Sequence, residues 1–268
     1  MENQEKKEWI RMNKTKWITM GIGLTLLVLG VVLFVLTRAN ALLEDATTGA
    51  KIPFALSLIM ILVGIVVPVM GALPEKKPAD VRTLSMAALF AALCYIGFTY
   101  CKIDIPVGME KTAFHLGNVF CVLAALFLGG MWGGMAGAVG MTIADLTTAY
   151  VTSAPKTFLL KLCIGLITGF VAHKVFKLSQ DKERKIPLTA ATAISCAAGM
   201  AFNIVADPVV GYFYKMYILG VPQEAASIWA KIGAVTTSVN AVVAVIAATL
   251  LYVALRKAMK RTNLLPKL

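Results

Sequence analysis

Long apolar blocks, each closed by a short charged or Gly/Pro-rich segment, recur along the chain between residues 17 and 255. The first two, 17–37 and 52–73, are each long enough to cross about 30 Å of hydrocarbon as a helix. A polar linker over 74–82, with Glu75, Lys76, Lys77 and Pro78, separates this N-terminal hairpin from the rest of the chain. Six further crossings are predicted at 83–101, 112–128, 131–150, 155–176, 187–214 and 225–255. Only the glycine-rich turn 129–134 joins the second and third of these, so they form a tight hairpin. Pro208 lies inside the fifth, where it removes a backbone donor and is expected to kink the helix. The expected fold is an all-α membrane protein of eight helices. A six-helix membrane domain (83–257) comes after the extra hairpin (17–73), with polar tails at 1–16 and 258–268.

Composition supports a bilayer environment. Hydrophobic residues make up 59% of the chain, charged residues 15%, and the mean hydropathy is +0.78. The net charge of +12 does not read as a nucleic-acid surface, because Lys and Arg concentrate in alternate loops rather than in one stripe. With the amino terminus cytoplasmic and eight crossings, the inside holds the N-tail, the 74–82 linker, the 174–186 loop and the C-terminal tail. That loop carries Lys174, Lys177, Lys182, Arg184 and Lys185, and the tail region Arg256, Lys257, Lys260 and Arg261. The outside keeps only Arg38, Lys51, Lys102, Lys111 and Lys156. Both termini are therefore expected in the cytoplasm. Ala39-Asn40-Ala41 resembles a signal-peptidase site, but the apolar block before it exceeds the usual 7–15 residue signal core. It is read as a retained anchor. The five cysteines are scattered without CxxC spacing, which excludes zinc and redox motifs and leaves them as packing residues.

Depth along the helices locates the chemistry. At 1.5 Å per residue, Asp145 lies about 8 Å below the outer end of its helix and Lys161 about 9 Å in from Pro155. Asp207 lies roughly 8–10 Å from the outer end of its helix, and Lys231 about 10 Å in from Glu224. Two acids and two bases from four helices thus share one level in the outer leaflet. Hydrocarbon penalises such groups, so the helices are expected to converge there on polar surroundings. Two arrangements satisfy this: ion pairs that fasten the bundle, or a binding pocket open to the outside. The pocket's wall would add His115, Asn118, Tyr150, Lys156, Asn203, Tyr214 and Trp229, with Asn203 and Asp207 on one helix face. Such rings with a few fixed polar groups suit a small, flat, polar heterocycle. Asn240 lies deeper and is equally explained by an interhelical hydrogen bond.

Small residues form flat faces. Ala87, Ala88, Ala91 and Ala92 mark the first core helix, and Gly130/Gly134, Gly133/Gly137 and Gly165/Gly169 mark later ones. In lipid such faces let backbones approach closely, either within the bundle or against another membrane subunit. The chain has no GxxxxGK[ST] loop, HExxH, GxSxG or nucleophile–base pairing, which argues against an enzyme. No metal site or cofactor is expected.

The run His115-Leu-Gly-Asn118, then LAALFLGGMWGGMAGAVG, Ala144-Asp145-Leu146, Ala154-Pro155-Lys156-Thr157 and Lys161-x-x-x-Gly165, resembles the substrate-binding S components of energy-coupling factor (ECF) transporters, nearest their riboflavin-transporter-like branch. The resemblance covers about 83–255 and is most specific over 114–165. It implies a six-helix S component in the cell membrane that captures a vitamin-like solute from outside. It further implies association with a transmembrane T component and two ATP-binding-cassette ATPases, whose hydrolysis makes the S component topple and release solute inward. The alanines Ala87, Ala88, Ala91 and Ala92 stand where that family docks on the T component. The hairpin 17–73 is additional to the family's six helices. The four-charge level is richer than riboflavin needs, and Lys161 and Lys231 favour an anionic or strongly polarised ligand group. A stand-alone ion-coupled secondary carrier would draw on the same buried carboxylates, although no inverted repeat is evident. A membrane enzyme or assembly scaffold is the third possibility.

Overall fold

The computed structural model describes residues 21–26, 28–30, 32–33, 36, 80–107, 110–180 and 186–262. The chain divides into two compact units, Met1–Pro78 and Ala79–Leu268. In the first unit the described residues between 21 and 36 are helical. The predicted tail 1–16, the crossing at 52–73, residues 74–79 of the linker and the final residues 263–268 lie outside the described residues.

The second unit runs α1 (Val81–Thr99), β1 (Lys102–Val107), β2 (Glu110–His115), α2 (Gly117–Leu146), α3 (Ala154–Phe170), α4 (Leu188–Phe213) and α5 (Gln223–Arg261). A 3₁₀ turn, Val151–Ser153, leads into α3, and π-helical turns extend α3 through Val175 and α4 through Ile218. Five helical runs among the described residues are long and apolar enough to cross a membrane. Helix α5 continues through Arg261, beyond the predicted end at 255, and its last turn carries Lys260 and Arg261, where cations complement the helix dipole. Pro208 is accommodated inside α4.

Helix α2 is folded back on itself. Gly129 has φ 80° and ψ 171°, a non-helical conformation open to glycine but not to ordinary residues. A Cβ on Gly133 would strike the Ala125 backbone, and one on Gly137 would strike Cys121, so the limbs on either side of Gly129 lie antiparallel. The expected hairpin therefore forms, pivoting on the first glycine of the run. The second limb packs on α3 through Gly134 against Gly165 and Gly130 against Gly169, with backbone on backbone. Rings tie the interior across three helices: Phe90 lies 5.9 Å from Phe127, and Phe127 lies 4.7 Å from Tyr252.

Two expectations need correction. Residues 112–115 do not begin a helix; they end β2, which pairs antiparallel with β1 from Lys102↔His115 to Val107↔Glu110. Ile103, Ile105 and Val107 alternate with Lys102, Asp104 and Pro106. That period of two suits a strand, and a smoothed hydropathy profile conceals it. The four alanines of α1 also do not form one face. Ala87 is buried and Ala91 half-buried, its carbonyl touching Gly140, whereas Ala88 and Ala92 are exposed. Successive residues are about 100° apart around a helix, so the two pairs point differently.

Candidate binding cavity

A cavity of about 320 Å³ lies at the end of the bundle that carries the β ribbon. Its walls come from Phe98 of α1, Thr112 and His115 of β2, Asn118 of the first α2 limb, and Met141 and Asp145 of the second. Tyr150 and Ser153 of the following turn, Lys156, Thr157 and Lys161 of α3, and Asn203, Asp207 and Pro208 of α4 continue the wall. Helix α5 adds Trp229, Gly233, Thr236, Thr237 and Asn240 at helical spacing. The volume falls at the lower end of the range for small-molecule sites.

Nine of the eleven residues singled out from sequence line this space: His115, Asn118, Asp145, Tyr150, Lys156, Lys161, Asn203, Asp207 and Trp229. Tyr214 is not among the lining residues; its hydroxyl donates to the Thr152 carbonyl at 2.9 Å and fastens the 151–153 turn. Lys231 is a correction. It is exposed and outside the cavity, because the cavity face of α5 runs through Trp229, Ala230, Gly233, Thr236, Thr237 and Asn240. Its depth along the helix suited the site, but its angle around the helix does not. Thr112, Ser153, Thr157, Thr236 and Thr237 escaped the sequence reading, since a hydroxyl inside an apolar block gives little signal.

The charges are unequally satisfied. Lys156 Nζ donates to Asp207 Oδ1 at 2.8 Å, and the Thr237 hydroxyl donates to Asp207 Oδ2 at 2.9 Å. Lys215 lies over the Trp229 ring, 4.3 Å from its centroid. Lys161, only 7% exposed, has no carboxylate within 4 Å of its ammonium among the described residues. Asp145 is 2% exposed, and its Oδ2 lacks a hydrogen-bond partner. Asn118 Oδ1, Asn203 Oδ1 and His115 Nδ1 are likewise buried without partners. Unpaired buried polar atoms are costly in a folded protein, and here the four residues that carry them all line one space.

The ribbon is secured over this end. The Asn240 side chain accepts from the His115 backbone N–H and donates to the Ala113 carbonyl, each at 3.0 Å. The Thr112 and Thr236 hydroxyls meet at 3.2 Å. At the rim, Tyr150 donates to Asp104 at 2.9 Å, and Lys102 pairs with Asp104 at 3.2 Å while lying 4.9 Å from the Tyr150 ring centroid. Burial, followed by the hydrogen bond to Asp104, pushes the Tyr150 phenol above its ordinary range. His115 stacks edge-on against Phe98 at 4.7 Å. Burial, reinforced by the Lys161 charge, lowers its imidazole to about 3, so it is neutral at pH 7.

Comparison with known proteins adds the family. Residues 79–257 match the family model described as "ECF-type riboflavin transporter, S component". Neither the curated proteins nor the solved structures gave a match. The matched span takes in every residue of the cavity wall and about two-thirds of the sequence. The chain belongs to the S-component family of ECF-type riboflavin transporters, and is thus a membrane transport subunit and not an enzyme.

Proposed function

We propose that this chain is the substrate-capture subunit of an ATP-driven importer for a water-soluble vitamin or related cofactor precursor. One observation carries the proposal: Asn118, Asp145 and Asn203, each with a buried polar atom that lacks a partner, line a common cavity of metabolite size. The bundle end opposite that cavity carries Arg82, Lys174, Lys177, Arg256, Lys257, Lys260 and Arg261, which favours placing it in the cytoplasm. The cavity then faces outward, with eight crossings and both termini inside. Solute enters from outside, and a T component with two ATPases drives its delivery inward. The exposed Ala88 and Ala92 of α1 are the proposed docking contacts for the T component. The family's name makes riboflavin the first probe to try.

The test is affinity purification of the full chain from its native membranes, with mass spectrometry of both co-purifying proteins and released small molecules. Recovery of ATPase subunits together with a stoichiometric metabolite is the expected result. Uptake by the chain alone, driven by a proton gradient without any ATPase, would overturn the proposal in favour of a secondary carrier.

A further inference from the structure

We infer that the captured solute carries an anionic oxygen group seated on Lys161 and, on the same molecule, N–H or O–H donors that face Asp145. The inference rests on the capture role proposed above and concerns the chemistry of that same site.

Part of the cavity's charge is already paired. Asp207 accepts a hydrogen bond on each oxygen, from Lys156 and from Thr237, so its charge is already paired at short range. Lys161 and Asp145 differ from it. Both are more than nine-tenths buried and both line the cavity, yet no salt bridge within 4 Å joins them to each other or to another described residue. A buried ammonium without a counter-ion is costly, and so is a carboxylate oxygen without a donor. The two could have met as a second fastening pair. More than 4 Å apart in the cavity wall, they instead leave room for a dipolar molecule with an acceptor at one place and donors at another.

The rest of the wall adds sign and direction. Lys111 and Lys215 also line the space, so four lysines face two aspartates. His115, neutral at pH 7, adds no charge. A low-dielectric cleft with this excess of positive charge draws anions inward. Asn118 and Asn203 then supply further polar partners in the same wall. Binding of a neutral solute would leave the Lys161 ammonium without a salt-bridge partner, whereas an anionic group supplies one at the moment of capture.

The test uses the full chain purified in detergent. Its bound compound is released, identified by mass spectrometry and titrated back by calorimetry onto wild type, Lys161→Met and Lys161→Arg, with riboflavin as a neutral probe beside it. The expected compound bears a carboxylate, phosphate or other group that is anionic at pH 7. Lys161→Met should weaken its rebinding ten-fold or more, and Lys161→Arg less. The ligand-free Lys161→Met protein should melt at the same or a higher temperature than wild type, because an unmatched charge has been removed, which separates lost recognition from lost folding. Lys231→Ala, outside the cavity, serves as the unaffected control. Tight binding of riboflavin or another neutral compound, equal in wild type and Lys161→Met, overturns the inference and leaves the capture role standing. If no small molecule is released and riboflavin does not bind, the capture role fails and the inference fails with it.

Discussion

Asn240 completes the edge of a β ribbon from the middle of a helix, taking the His115 N–H and giving its own amide N–H to the Ala113 carbonyl, both at 3.0 Å. A side-chain amide carries the same donor and acceptor as a peptide unit, so it can stand in for a neighbouring strand. Asn240→Ala removes both partners at once and leaves two backbone groups short of a bond. A loss of about 1–3 kcal/mol is expected. Hydrogen exchange over 110–115 should accelerate while that of α3 stays as it was. Unchanged exchange in β2 would mean that the ribbon is held by other contacts.

The Lys156–Asp207 pair is partly buried, with side-chain exposures of 15% and 25%. Removing either partner leaves the other charge partly buried without its counter-ion. Lys156→Met and Asp207→Asn should each cost roughly 1–3 kcal/mol. The double variant should lose less than the two combined, with a coupling of about 0.5–3 kcal/mol. Thermal melts of the four proteins in one detergent provide the measurement, and strictly additive effects would show the pair to be incidental.

How much of this was legible in the sequence depends on what each signal encodes. Helix rise is constant, so the depths of Asp145, Lys161 and Asp207 could be counted from the loops, and all three reached the cavity. Rotation about the axis depends on which neighbours pack where, and a bundle wrapped in lipid offers weak amphipathic contrast for reading it. Lys231 and the alanine pairs of α1 failed on that ground alone. Gly129 to Gly134 announced a reversal, because a glycine cluster between two apolar runs has no better use. The period of two lay in β1, between two expected crossings, while Ala113 and Phe114 of β2 ran on into the following apolar block. Asn240 stood out as polar, although its bonds to β2 depend on a ribbon that had not been foreseen.

Close packing makes Gly165 irreplaceable, whereas Gly233 has room. A Cβ on Gly165 would overlap the Gly134 backbone, and neither main chain can yield without shifting a helix. Gly165→Ala should therefore destabilise by about 1–3 kcal/mol. Gly233 has no atom within 4 Å of its would-be Cβ and borders the cavity. Gly233→Ala should leave the melting temperature nearly unchanged, or raise it slightly through helix propensity, while reducing solute affinity. A large drop in the stability of Gly233→Ala would contradict this geometry.

Ala88 and Ala92 offer a separate handle. Both are exposed on α1 beside Leu84 and Leu89, away from the cavity. A bulky side chain there, as in Ala92→Trp, should block close approach by a partner helix without touching the bound solute. Solute affinity of the isolated chain should match wild type, while co-purification of the T component falls sharply. Loss of solute binding in this variant would show that the face belongs to the bundle's own packing.

His115 gives the acid sensitivity a sign. Its imidazole is lowered to about 3 in the folded chain, with burial the first cause and the Lys161 charge the second, against about 6.5 when unfolded. Below pH 6.5 the unfolded chain takes up a proton at this residue that the folded chain refuses. The stabilisation is therefore complete above pH 6.5 and is lost progressively as the pH falls from 6.5 toward 3. The slope from this one group is at most about 1.4 kcal/mol per pH unit. His115→Gln keeps a polar ring-edge neighbour for Phe98 but cannot titrate. Between pH 7.5 and 5.5, wild type should lose more melting temperature than His115→Gln does. Equal losses in the two proteins would mean that the imidazole is already protonated, or that solvent reaches it freely, and that its place at the end of the ribbon is less enclosed than the Phe98 and Asn240 contacts imply.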